Sequence, residues 1–367
     1  MTIGIIGATG YAGAELIRLL LGHPEAGTLI LASSSHAGER IEDIYPNLRC
    51  RVSAVLVSPE AAIAKSDCVF AALPSGVGEP YAGAALKRGI PYIDLSADFR
   101  FDDDEGVYSA WYGKPYADPG LREHSVYGLP ELNRRRIQEL ASKGPVIIGN
   151  PGCYPTGASL ASYPGLAKGL AGEGAIIVDA ASGVTGGGRE LSRAFHFPEC
   201  SEALSPYKVG AHRHIPEISR NLSKMAGRPV RLVFTPHLAP MNRGILSTVY
   251  IPLAALTAPP GGNSTDLPPS KEILQRADEI RELYAAFYQD EPFVRVLPSG
   301  ATASTRGVRQ SNYCDISVHL DQTGSTLIVV SAIDNMVKGA AGQALQNMNI
   351  IFGFDERLGL GAAPAAF

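Results

Sequence analysis

Short apolar runs alternate with stretches of helical composition through the first 150 residues. These runs predict buried strands, and they lie at 2–6, 28–32, 67–74, 92–96 and 146–148. Strands that alternate with helices are typical of a parallel, doubly wound sheet. The pattern therefore predicts an N-terminal α/β domain with a parallel, doubly wound sheet.

The alternation changes after residue 170. Several strand-like runs now lack the helix that a parallel connection needs, and they lie at 175–180, 231–235, 244–252, 313–320 and 326–332. We therefore expect a second, α+β domain with a mixed or antiparallel sheet. Residues 336–350 predict a last helix. The segment 257–270, rich in Pro, Gly, Ser and Thr, predicts a loop to which we assign no function.

The composition is that of an ordinary globular protein. Of the 367 residues 45% are apolar and 19% are charged, and the net charge of −4 provides no basic surface for nucleic acid. No apolar run approaches the ~20 residues of a membrane span, and the N-terminus begins without a secretory signal pattern. Five scattered cysteines, without a CxxC pair or zinc-ligand spacing, favour free thiols in the cytoplasm and no metal site.

The most informative cysteine is Cys153, which lies in a Pro-Gly-Cys-Tyr-Pro turn between a buried strand and a helix predicted over 155–170. Pro155 suits a first helical turn. The free N–H groups and the positive dipole end of that helix favour a thiolate and can hold an oxyanion. A buried structural cysteine is the alternative, but a Pro-Gly turn is not its usual place. Cys153 is therefore predicted to be a nucleophile.

A glycine-rich turn with the spacing GxxGxxG follows the first strand and precedes a helix. In this context glycines let the backbone approach a pyrophosphate, and the helix N-terminus supplies N–H donors. A plain turn is the alternative. The residues predicted to contact a dinucleotide here are Gly7, Thr9, Gly10, Tyr11, Ala12 and Gly13.

The end of the second strand indicates which dinucleotide binds. An NAD site places an acidic residue there for the ribose diol, but the chain has none between Glu25 and Glu39. It has Ser33, Ser34 and Ser35 instead, with His36 and Arg40 nearby, which suits a 2′-phosphate. NADP(H) is therefore the predicted cofactor.

Two further loops follow predicted strands and contribute cofactor candidates. Pro74 ends the third strand, at the edge where nucleotides lie in such sheets. Ser182 begins a second glycine-rich loop, which ends in Arg189, a residue suited to an anionic group.

Two histidines flank an arginine at His212-Arg213-His214. A general base must titrate near neutral pH, as histidine does. Because Pro216 biases residue 215 toward extended backbone, both rings are expected to point the same way. Surface or helix-capping histidines are the alternative. A metal site is weaker, because no third ligand with suitable spacing accompanies them.

Together these features indicate one reaction class. The thiolate attacks an activated acyl carbon and expels phosphate, and the resulting thioester receives a hydride from NADPH while a histidine handles the proton. A Cys–His pair alone would also suit a hydrolase, so the cofactor site decides the class.

The chain resembles the longer form of the N-acetyl-γ-glutamyl-phosphate reductases of arginine biosynthesis, within the aspartate-semialdehyde dehydrogenase-like superfamily. The most specific matches are Gly-Asn-Pro-Gly-Cys-Tyr-Pro-Thr at 149–156 and His-Arg-His at 212–214. Others lie at 7–13, 94–100, 126–132 and 333–339. The resemblance implies an NADP-binding Rossmann domain at 1–152, completed by a last helix that returns to it within 334–367. It also implies an α+β catalytic and oligomerisation domain at 153–333.

The resemblance also implies roles for single residues. Cys153 would be the nucleophile and His214 the acid/base, with His212 as the alternative. The remaining assignments are Asn335 for the nicotinamide, Arg100 and Asn150 for the phosphate, and Arg189 and Arg213 for the substrate carboxylate. His212 is also assigned to substrate binding. The implied protein is a cytoplasmic dimer or tetramer acting on a small acyl phosphate.

Three other functions compete with this interpretation. A carrier-linked aminoadipyl-phosphate reductase of lysine biosynthesis would take a substrate one methylene longer, which binding discriminates by only about 1–3 kcal/mol. Aspartate-semialdehyde dehydrogenase has different motifs around its cysteine and histidine. An NADP-sensing binding protein would not need Cys153 and both histidines.

Overall fold

The computed structural model describes residues 1–101, 104–254 and 268–365. These residues form two compact units. Unit 1 consists of Met1–Gly152, Gly188–Glu190 and Gly339–Ala362, and unit 2 consists of Cys153–Gly187, Leu191–Lys338 and the chain from Ala363. Most of the predicted loop at 257–270 lies outside the described residues.

Unit 1 contains a parallel sheet of six described strands. They are β1 (Thr2–Ile6), β2 (Thr28–Ala32), β3 (Cys68–Ala71), β4 (Tyr92–Asp94), β5 (Ser125–Tyr127) and β6 (Ile147–Gly149), in the order β2-β1-β3-β4-β6-β5. The helices between them are α1 (Tyr11–Leu20), α2 (Ile41–Ile44), α3 (Pro59–Lys65), α4 (Glu79–Lys87), α5 (Glu105–Tyr112) and α6 (Pro130–Ala141). Every described strand pairing in this sheet is parallel, so the predicted doubly wound α/β fold is confirmed.

Unit 2 contains a mixed sheet, as predicted. Its strands are β7 (Ala175–Ser182), β8 (Ser205–Pro206), β9 (Arg231–Leu238), β10 (Ile245–Pro252), β11 (Val294–Val296), β12 (Cys314–Leu320) and β13 (Thr326–Ile333), in the order β11-β12-β13-β10-β7-β9-β8. Its helices are α7 (Cys153–Ala167), α8 (Phe197–Cys200), α9 (Ile215–Ala226) and α10 (Lys271–Phe287). The core of unit 2 lies between the long helices and one face of this sheet.

The last helix, α11 (Gly342–Ile351), belongs to unit 1 and packs against α1, α6 and β4. A helix was predicted over 336–350, but residues Val337–Ala341 form a π-helical turn and the α-helix begins only afterwards. Asn347 donates to the carbonyl of Gly128 at 2.8 Å, and His23 contacts Asn349 at 2.9 Å. These hydrogen bonds provide partners for the amide nitrogen of Asn347 and the amide oxygen of Asn349, two side chains that α11 buries completely.

Gly7 makes the connection from β1 to α1 possible. It adopts φ +79°, and a Cβ atom built there would lie 2.3 Å from the carbonyl oxygen of Ala72, which follows β3. Gly10, in the same turn, has φ −80°, and its nearest neighbour would be 3.5 Å from an added Cβ. The turn therefore requires glycine at position 7 and tolerates a side chain at position 10.

This difference predicts the effect of two matched substitutions. Gly7→Ala combines a left-handed backbone with a backbone clash, so we expect it to lower the free energy of unfolding by more than about 2 kcal/mol. Gly10→Ala changes only a helix N-cap and should cost within about 1 kcal/mol. Urea denaturation measures both, and equal losses would contradict this account of the turn.

Candidate active site

Cys153 is the first residue of α7 and follows β6 along the chain after a Pro-Gly turn. The helix was expected to begin at Pro155, but it begins two residues earlier, so the thiol is attached to the first turn itself. Free N–H groups and the positive end of the helix dipole lower the free energy of a thiolate at this position. The thiol is not part of a disulfide and is half-buried.

The Cys153 side chain lines a cavity of about 620 Å³ within unit 2. This cavity brings together five of the predicted site residues, which are Cys153, Ser182, His212, Arg213 and His214. Lys208 adds a second cation, and Gly183, Gly186 and Gly187 of the glycine-rich loop form part of the wall. A nucleophile, two imidazoles and two cations thus share one space that suits a small anionic substrate.

The two histidines lie side by side, but not on an extended segment. His214 is the N-cap of α9, with φ −84° and ψ −9°, and Pro216 occupies the first turn of that helix. The expected extended backbone at residue 215 is therefore wrong, because proline is well tolerated in a first helical turn. The ring centroids of His212 and His214 are still 4.8 Å apart.

The environment of His212 makes it a weak base. Burial, followed by the positive charges of Arg213 and Lys208, lowers the pKa of His212 to about 4. Its Nδ1 accepts the backbone N–H of His214 at 3.1 Å, so the proton of the neutral ring is assigned to Nε2. At neutral pH His212 is therefore an uncharged hydrogen-bond donor.

Two tyrosines that were not predicted complete this cluster. The hydroxyls of Tyr154 and Tyr207 are 3.0 Å apart, and both rings contact His212 edge to face. Burial, with a contribution from the neighbouring Cys153, raises the pKa of Tyr207 to about 12 and that of Tyr154 still further. Both hydroxyls therefore stay protonated at neutral pH. The position of Tyr154 directly after Cys153 was the only signal in the sequence for either tyrosine.

Asn335 lies in unit 2, where it holds the glycine-rich loop. Its Oδ1 accepts the N–H of Gly244 at 2.7 Å, and its Nδ2 donates to Thr185 at 3.0 Å. The predicted contact with nicotinamide stays a prediction, but the side chain is buried and oriented by both bonds.

The predicted phosphate ligands Arg100 and Asn150 lie in unit 1, where both are buried. Arg100 donates to the carbonyls of Asn150 at 2.8 Å and Leu95 at 3.0 Å. The Asn150 side chain donates to Ala340 at 3.1 Å. These contacts hold the loops after β4 and β6, and a role in phosphate binding stays a prediction.

The predicted cofactor turn in unit 1 fits a dinucleotide. Tyr11, Ala12 and Gly13 are the first residues of α1, whose N–H groups have no acceptor within the helix. A Cβ on Gly13 would lie 2.3 Å from the carbonyl oxygen of Gly7, so the helix starts as close to the strand end as the backbone allows. Pro74 lies exposed after β3.

The serines that follow β2 form a hydroxyl chain. Ser33 Oγ lies 3.4 Å from Thr9 Oγ1 and 3.4 Å from Ser35 Oγ, and Ser34 is exposed beside them. The two basic side chains expected to assist these serines in binding a 2′-phosphate contact carboxylates instead. His36 contacts Glu39, and Arg40 contacts Glu42.

Arg189 lies at the glycine turn of unit 1. It was predicted to bind the substrate carboxylate, but it is not among the residues that line the Cys153 cavity. Instead its Nη1 donates to the carbonyl oxygen of Thr9 at 3.0 Å. The chain turns at Gly188, with φ +83°, before this contact.

Comparison with known proteins identifies the family. The sequence model described as "Semialdehyde dehydrogenase, NAD binding domain" matches residues 2–140, and that described as "Semialdehyde dehydrogenase, dimerisation domain" matches residues 153–335. The N-acetyl-gamma-glutamyl-phosphate reductase of Clostridium beijerinckii is 48% identical over 365 residues, covering 100% of this chain and 99% of that protein. The reductase of Symbiobacterium thermophilum is 46% identical, covering 98% and 97%. The chain belongs to the N-acetyl-γ-glutamyl-phosphate reductase family.

Solved structures of this superfamily share the fold at much lower sequence identity. Aspartate semialdehyde dehydrogenase II from Vibrio cholerae, in complex with ASA, superimposes with a TM-score of 0.69 at 15% identity, over 96% of this chain and 98% of that one. The aspartate semialdehyde dehydrogenase with NADP from Candida albicans has a TM-score of 0.63 at 16% identity, over 96% and 98%. At this identity the likeness establishes the two-domain α/β fold.

Two absences hold within the described part of this reductase-family chain. No described helix is long and apolar enough to cross a bilayer. Nor do three or more His, Cys, Asp or Glu side chains come together there in an arrangement that could hold a metal ion.

Proposed function

We propose that the protein reduces N-acetyl-γ-glutamyl phosphate to N-acetylglutamate semialdehyde with release of phosphate, using NADPH. The observation that carries the proposal is the cavity in which Cys153, at a helix N-terminus, is joined by His212, His214 and two cations. Full-length relatives named for this reaction support it.

The first half-reaction forms a thioester. His214 accepts the thiol proton of Cys153, and the thiolate attacks the acyl carbon. N–H groups at the start of α7 stabilise the oxyanion of the tetrahedral intermediate. The bond from the acyl carbon to the phosphate oxygen then breaks, and the phosphate takes up a proton from water and leaves as HPO₄²⁻. Lys208 contributes positive charge in the same cavity.

The second half-reaction releases the aldehyde. When bound, NADPH supplies the hydride that adds to the thioester carbon. The same N–H groups stabilise the new oxyanion, which expels the Cys153 sulfur, and the protonated imidazole of His214 returns its proton to that sulfur. The chain thus ends the cycle with the thiol and imidazole in their starting states.

His214 is assigned as the acid/base because His212 is held neutral. An imidazole with a pKa of about 4 accepts a proton poorly at neutral pH. His212 instead fixes the position of His214 through its Nδ1 and presents an Nε2–H donor to the substrate.

The proposal also covers the cofactor, the roles of the two domains and the assembly of the protein. NADP(H) is favoured by the Ser33–Ser35 hydroxyls and the missing acid after β2. We assign 1–152 with 334–367 to cofactor binding and 153–333 to catalysis and assembly into a dimer or tetramer in the cytoplasm. The partly exposed Ile177 and Val233 on neighbouring strands of the mixed sheet suit such an interface.

The reverse reaction tests the function most simply. NADP⁺ reduction is measured with N-acetylglutamate semialdehyde and phosphate, and in parallel with the aldehyde that is one methylene longer. We expect phosphate-dependent turnover and a higher kcat/KM for the shorter aldehyde. A preference for the longer aldehyde would move the protein to the lysine-type reaction, and turnover of neither would refute the proposal.

The nucleophile is tested by a pair of cysteine variants. Cys153→Ser should lower kcat by at least about 1,000-fold, because serine lacks an activated thiolate. Cys200→Ser is the matched control, since Cys200 lines the same cavity and should be replaceable with little loss. Thiol alkylation should inactivate the wild type and the Cys200→Ser control alike. If Cys200→Ser resisted alkylation, the reactive thiol would be Cys200 and not Cys153.

Substitutions of His214 and His212 should have different effects on the kinetics. His214→Asn should lower kcat by about 100- to 10,000-fold and remove the neutral-range limb of the pH–rate profile, whereas His212→Asn should keep that limb and mainly raise KM. The opposite pattern would exchange their roles.

The lowered pKa of His212 also predicts a pH dependence of stability. Unfolding restores its ordinary affinity for protons, so the free energy of unfolding should fall as the pH drops from about 6.5 toward 4. The His212→Asn variant should show a shallower fall in urea titrations at pH 7 and pH 5. An equal fall in the variant and the wild type would show that His212 binds a proton as readily in the folded protein as in the unfolded chain.

A further inference from the structure

Arg189 makes two contacts with the segments that surround the glycine turn of unit 1. Its Nη1 donates to the carbonyl oxygen of Thr9 at 3.0 Å, and the Tyr45 hydroxyl donates to the same oxygen at 3.0 Å. The guanidinium carbon lies 5.2 Å from the centre of the Tyr45 ring. A cation is therefore held against the turn that begins the predicted dinucleotide site.

Other basic side chains on the segment that follows the serines already have acidic partners. His36 lies 3.1 Å from Glu39, Arg40 lies 2.6 Å from Glu42, and Arg49 lies 3.7 Å from Asp43. Within the described ranges, Arg189 has no carboxylate at ion-pair distance; the groups it contacts are the Thr9 carbonyl oxygen and the Tyr45 side chain.

Thr9 joins Arg189 to the serine hydroxyls. Its carbonyl oxygen binds the guanidinium, and its Oγ1 lies 3.4 Å from the buried Ser33, which in turn lies 3.4 Å from Ser35. Thr9 therefore contacts both the serine hydroxyls and a guanidinium that has no carboxylate partner. A phosphate monoester, with a charge of about −2, is the group that such a set of donors binds best.

We propose that Arg189 binds the 2′-phosphate of NADP(H) together with Ser33 and Ser35, and so determines cofactor specificity. The proposal rests on the proposed use of NADPH. It assigns Arg189 to the cofactor and removes it from the substrate carboxylate, leaving Arg213, which lines the Cys153 cavity, for that group.

The test measures ligand binding without turnover. Isothermal titration compares 2′,5′-ADP, which carries the 2′-phosphate, with 5′-AMP, which lacks it, on the wild type, Arg189→Gln and Arg193→Gln. Arg193 is the matched control, because it lies four residues away, is exposed and pairs with Glu199 at 3.4 Å.

We expect the wild type to prefer 2′,5′-ADP. Arg189→Gln should weaken binding of 2′,5′-ADP by about ten- to a hundredfold, the range of one charge-assisted contact, and change 5′-AMP binding by less than about twofold. Arg193→Gln should bind both like the wild type. In kinetics, Arg189→Gln should raise the KM for NADPH and leave the KM for the acyl phosphate unchanged.

Two outcomes would overturn the proposal. If Arg189→Gln binds 2′,5′-ADP like the wild type but has a raised KM for the acyl phosphate, Arg189 is a substrate ligand. If the wild type itself binds 2′,5′-ADP no better than 5′-AMP, there is no 2′-phosphate site. The second result leaves acyl-phosphate reduction intact with NADH as donor, so it is distinguishable from failure of the proposed reaction.

Discussion

The packing of α7 against α9 is the contact on which the catalytic cavity depends. Cys153 begins one of these helices and His214 caps the other, so their separation is set by how the two helices meet. Asn221 of α9 donates to Ser159 of α7 at 3.0 Å within this buried contact. A hydrogen bond between buried polar side chains fixes the register of the helices more strictly than apolar packing alone.

The rest of unit 2 holds α7 from its other sides. Ser331 on β13 donates to the carbonyl of Gly157 at 3.0 Å, Tyr284 donates to Ala161 at 3.0 Å and Tyr288 donates to Leu160 at 2.6 Å. These donors come from the sheet, from α10 and from the residue that caps the C-terminus of α10. The body of α7, which carries the first turn with Cys153, is therefore anchored by hydrogen bonds from several elements, and an oxyanion site built from backbone N–H groups needs such a fixed support.

The sequence predicts those features whose causes are local. Strands, the GxxGxxG turn and the special setting of Cys153 follow from apolar runs, glycine spacing and the Pro-Gly turn. The backbone at His212 and His214 was predicted incorrectly, because a proline allows either an extended residue before it or a helix N-terminus, and packing decides between them. The pKa of His212 and the contact of Tyr154 with Tyr207 depend on burial, which no local pattern contains. The contact of Arg189 with the Thr9 carbonyl joins residues 180 positions apart, so no local pattern predicts it either.

The mass of the intact protein after mixing with the acyl phosphate, without any dinucleotide, tests the central claim most directly. The account predicts one added N-acetylglutamyl group, mapped to the peptide that contains Cys153, and its complete release as the aldehyde when NADPH is supplied. Reduction of the acyl phosphate in a single turnover, with no acyl group ever attached to that peptide, would contradict it.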